Sequence, residues 1–65
     1  MTKKEIKARD ARIQKAYLAT CSGIQIPILD MPKVWKVGIA SIERGADDAT
    51  LGADIRSFVE TIRVN

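Results

Sequence analysis

The chain has 65 residues, 46% of them hydrophobic and 29% charged, with a net charge of +3; this describes one small globular domain spanning residues 1–65, not a disordered chain. It holds no histidine and a single cysteine. That composition removes the commonest metal ligand and general base and excludes an internal disulfide.

A core of this size is marginal. Apolar burial at about 25 cal/mol per Å², set against about 1.5 kcal/mol of ordering entropy per residue, comes out near zero. Stability must then come from efficient helix packing or from self-association, and this argument leaves a homodimer as open as a monomer. No apolar run approaches the ~20 residues that a membrane span needs. The start, Met1-Thr2-Lys3-Lys4-Glu5, is charged and leads into no apolar h-region. With the lone cysteine, this places the expected location in the cytosol.

The first segment, from about Thr2 to Cys21, reads as a helix. Thr2 and Glu5 have the spacing of a capping box. Ile6, Ile13, Tyr17 and Thr20 form a narrow stripe with Ala16 and Cys21 at its margins, while Lys4, Lys7, Arg12 and Lys15 point broadly away. Ser22-Gly23 ends the helix.

Ile24-Gln25-Ile26-Pro27-Ile28-Leu29 follows. Pro27 blocks an ordinary helix interior, and Ile24, Ile26 and Ile28 alternate. The expectation is an extended connector that crosses the core and buries its isoleucines. A short edge strand is the alternative.

Asp30-Met31-Pro32 reads as a helix start, with Asp30 as the cap and Pro32 in the first turn. Met31, Val34, Trp35, Gly38, Ile39 and Ile42 share one face; Lys33, Lys36, Ala40, Glu43 and Arg44 share the other. Alternation of Trp35, Val37 and Ile39 would instead give a strand and a helix–hairpin–helix domain, but the helical pattern accounts for both the polar and the apolar positions. Gly45 suits the position after the helix, and Asp47 or Asp48 suits the cap of the next one. The last helix carries the cleanest stripe: Leu51, Ile55, Phe58, Val59 and Ile62. The expected fold is all-α, three helices with a hydrophobic connector between the first and second.

The residues offer little chemistry. Cys21 lacks a histidine to activate it, and a helix C-terminus raises a thiol pKa, so it reads as a small, semi-buried apolar residue. Asp47, Asp48 and Asp54 lack the alternating ligand pattern of a calcium loop. Gly38, Gly45 and Gly52 are too far apart for a phosphate loop; Gly38 and Gly52 suit close helix approach. Ser41, Gly45 and Leu51 have about the spacing of a helix-turn-helix, yet Asp47, Asp48 and Asp54 would turn an acidic second helix towards DNA. No catalytic residue, metal ligand, cofactor or small-molecule substrate is therefore expected.

Two binding surfaces remain. Ile24, Ile26, Ile28, Met31 and Trp35 could contact a protein partner or a second copy, which leads to a small regulatory or adaptor protein. Lys4, Lys7, Arg12 and Lys15 could instead track nucleic-acid phosphates, which makes a DNA-binding regulator the alternative.

Overall fold

The structure, a computed structural model, describes residues 2–64. Its element order is α1 (Lys3–Cys21), one turn of 3-10 helix (Ile28–Asp30), α2 (Met31–Glu43) and α3 (Asp48–Ile62). There is no strand among the described residues, so the segment around Trp35, Val37 and Ile39 is helical.

Local chemistry sets the helix limits. Thr2 is extended, and its hydroxyl accepts the backbone N–H of Glu5 at 3.2 Å, which starts α1. Asp47 does the same for α3, its carboxylate accepting the N–H of Thr50 at 2.8 Å. The Thr50 N–H, then the Thr50 hydroxyl and more weakly Arg12, hold the Asp47 carboxyl below the ordinary aspartate range. Between α2 and α3 the chain reverses at Gly45, whose φ of +83° is a backbone region that side chains with a Cβ rarely enter. The N–H groups of Gly45 and Ala46 close the end of α2 on the carbonyls of Ile42 and Ser41.

Asp30 departs from the expected capping role. Its side chain makes no cap hydrogen bond; it pairs with Lys33 at 3.2 Å. The turn Ile28–Asp30 runs directly into α2, so Asp30 is itself helical (φ −92°, ψ −6°) where a capping residue is extended, and Pro32 has no N–H to offer.

The core is Ile13, Ala16, Cys21, Val34, Leu51, Ile55 and Val59, with Tyr17, Ile24, Ile26, Trp35, Ile39, Ile42, Phe58 and Ile62 packed around it. α3 lies between the other two helices. At about 100° per residue, Gly52 stands just beyond Val59 on one edge of its apolar stripe, and Asp54 just beyond Phe58 on the other. α1 packs on the Gly52 edge and α2 on the Asp54 edge.

Both contacts depend on what those edges carry. A Cβ on Gly52 would stand 2.9 Å from Cγ2 of Thr20, and a Cβ on Gly38 would stand 2.9–3.1 Å from three carbons of Ile13. Glycine at these positions lets α1 approach α3 and α2 closely. On the far edge, the fully buried Ser41 hydroxyl donates to Asp54 at 2.8 Å, and Arg44 adds an ion pair at 2.7 Å. No buried side-chain N or O atom lacks a partner among the described residues.

Candidate functional site

The connector gives the first surface. Residues 24–27 belong to neither helix nor strand; then the chain turns, with the N–H of Asp30 donating to the carbonyl of Pro27 at 2.9 Å. This turn reverses the expectation for Ile28. Ile24 and Ile26 pack against the core, but Ile28 is 83% exposed and Leu29 is 85% exposed. The alternation that leaves Ile24 and Ile26 half-buried against the core ends where the 3-10 turn begins, and Ile28 and Leu29 in that turn face outward. Val64 is also exposed, and its N–H donates to the carbonyl of Gln25, so the end of the chain is tied to this connector.

Met31 and Trp35, the remaining residues read as a protein-binding set, lie closer to the core. Both are half-buried. Trp35 packs against the core while its indole N–H donates to Asp10 of α1 at 3.2 Å, which makes it a strut between α1 and α2. The set therefore divides: Ile24, Ile26 and Trp35 pack against the core, Met31 is half-buried, and Ile28, joined by Leu29, faces out. Leu29 was not among the residues expected there, because a leucine off the alternating pattern gives no sign of its direction.

The second surface is the basic side of α1. Lys4, Lys7 and Lys15 are exposed and make no ion pair or hydrogen bond among the described residues. Arg12 does not join them. It reaches across to α3, pairing with Asp48 at 2.9 Å and donating to the carbonyl of Ala46 at 3.2 Å. Its charge is engaged in holding the start of α3 beside α1, so three lysines and not four cations make up this face.

α2 and α3 are joined by a tight turn at Gly45, as the helix-turn-helix spacing implies; Gly52 of α3 lies against α1, Arg56 donates to the carbonyl of Thr20, and the start of α3 carries Asp47 and Asp48, whose charge repels phosphates.

The third surface is a groove of about 470 Å³ along the seam of α1 and α3. Ala16 and Gly52 lie at the line of helix contact; Ala11, Lys15, Ala19 and Ala49 are exposed along its walls. Cys21 is buried and lies outside it. No group of three or more histidine, cysteine, aspartate or glutamate side chains among the described residues is placed to hold a metal ion. Among the described residues, no helix is long and apolar enough to cross a membrane. Comparison with protein-family models, with curated proteins and with solved structures finds no match to this chain.

Proposed function

We propose that this chain is a small, non-enzymatic regulatory or adaptor protein that acts through protein–protein contacts, with the elbow at Ile28 and Leu29 as its contact surface. One observation carries the reading: two large aliphatic side chains stand almost fully in water on a turn closed by two backbone hydrogen bonds. The Pro27 ring limits φ before the turn, and the hydrogen bonds to the Pro27 and Ile28 carbonyls hold the turn itself. Burying each side chain would release about 1.5–3 kcal/mol. An ordered turn presents them without the ordering cost that a floppy loop would incur on binding. The occupant is a protein of the same cell or a second copy of the chain.

The test separates this surface from the core and from the basic face. I28S/L29S leaves the core intact, because neither residue contributes to it. Tagged wild type, I28S/L29S and K4Q/K7Q/K15Q are expressed in the native host and their co-purifying proteins compared. The expected result is a stoichiometric partner, or a second copy, lost from the elbow variant and retained by the lysine variant. Retention by the elbow variant would overturn the proposal.

A second reading rests on Lys4, Lys7 and Lys15 of α1, exposed and without a partner among the described residues: binding of nucleic-acid phosphates without sequence readout. Fluorescence anisotropy with labelled mixed-sequence duplex DNA tests it. Micromolar binding that weakens steeply between low and moderate salt, and is lost in K4Q/K7Q/K15Q, supports it. Absence of binding at low salt removes it.

A further inference from the structure

From the geometry of the groove between α1 and α3 we infer a second docking site, distinct from the elbow, that receives an acidic amphipathic helix. The groove is a furrow between two helices, and its walls end in methyl groups. Ala11 and Ala19 stand on the α1 side, Ala49 on the α3 side, with Ala16 and Gly52 at the bottom. Small residues on both walls let a third helix approach closely and seat large side chains between them, as in the helix-in-groove mode of peptide recognition. From Ala11 to Thr20 the α1 wall runs about 14 Å at 1.5 Å per residue, long enough to hold anchors at i, i+3 or i+4, and i+7 of the incoming helix.

Charge selects the occupant. Three charged residues line the groove: Arg12, Lys15 and Asp48. Arg12 and Asp48 neutralise each other at 2.9 Å. Lys15 is left exposed and without a partner among the described residues, in the middle of the α1 wall. A carboxylate beside the apolar anchors of the guest would complete it. Lys4 and Lys7, further along the same helix, extend the field that attracts an acidic guest. A second copy of this chain fits poorly, because a two-fold contact centred on the groove would bring Lys15 towards the Lys15 of its mate.

The probes are two synthetic amphipathic helices of about four turns, with leucines at heptad spacing and flanking glutamates in one, flanking lysines in the other. Each is fluorescein-labelled and titrated with wild type, A49L, K15E and I28S/L29S, and a labelled DNA duplex is titrated in parallel. Ala49 and Lys15 are exposed, so neither substitution disturbs the core. The expected result is binding of the acidic helix at micromolar concentration and no comparable binding of the basic one. A49L, which fills the furrow, weakens binding at least about tenfold, the equivalent of about 1.4 kcal/mol. K15E also weakens it, and I28S/L29S leaves it unchanged. Amide shifts in NMR cluster at Ala11, Ala19, Ala49 and Gly52. No binding of the acidic helix, equal binding by A49L, or binding of the DNA duplex in place of the helix overturns the assignment. Loss of binding in I28S/L29S would move the site to the elbow and overturn it as well.

Discussion

Replacing Gly38 by alanine tests the packing of α1 on α2 most sharply, because two known effects oppose each other. In a helix interior, alanine is more favourable than glycine by about 0.8–1 kcal/mol, so G38A stabilises if nothing blocks the methyl group. Here Ile13 blocks it. The new Cβ would stand 2.9 Å from Cγ1, 3.0 Å from Cγ2 and 3.1 Å from Cδ1 of Ile13, so rotating that side chain removes one clash while leaving another. Ile13 is fully buried in the core. Overpacking of this kind costs about 1–3 kcal/mol, which exceeds the propensity gain over most of its range. The expected net loss is about 1 kcal/mol, a fall in Tm of about 4–8 °C for a domain of this size. Thermal and urea unfolding followed by far-UV circular dichroism measure it. I13V costs about 0.5–1.5 kcal/mol alone. In the double variant the loss should fall short of the sum by at least about 0.5 kcal/mol, since I13V removes the δ carbon and leaves the shorter side chain room to shift. A G38A protein as stable as wild type or more so would refute the close approach of α1 and α2.

D54A should cost about 1–3 kcal/mol, because the buried Ser41 hydroxyl then has no acceptor, and S41A/D54A should recover part of that loss; chemical denaturation of all three variants measures it. D47A should lower Tm at neutral pH by removing the cap on α3. Because the folded-state pKa of Asp47 is depressed, its contribution is complete above the unfolded value and is lost as pH falls through the folded one, so the Tm gap between wild type and D47A should close in acid. R12Q should cost on the order of 1 kcal/mol, since it removes both the exposed ion pair with Asp48 and the hydrogen bond to the Ala46 carbonyl, and added salt should shrink only the ion-pair part in denaturant titrations.

Helical period was enough to read most of this fold. Leu51, Ile55 and Val59 fall on one stripe of α3 and all three are fully buried. Thr2, Gly45 and Asp47 mark helix ends through local chemistry, which depends only on near neighbours in the chain. What could not be read depends on which helix lies alongside which. Arg12 sits among the charged residues of α1, and nothing local shows that Asp48 waits across the seam. Gly52 is legible as a point of close helix approach, but that Thr20 of α1 is the residue lying on it is not. Ile28 fits an alternating pattern whose end is set by a backbone turn after Pro27, and that turn has no mark in the alternation itself.

Quantitative co-purification from the native host, comparing wild type with I28S/L29S and K4Q/K7Q/K15Q, decides whether the elbow is the contact surface. One stoichiometric protein, either a partner or a differently tagged second copy, should disappear with the elbow substitutions and survive the lysine substitutions. A set of co-purifying proteins unchanged by I28S/L29S, or one lost only when the lysines are removed, would contradict that role for the elbow.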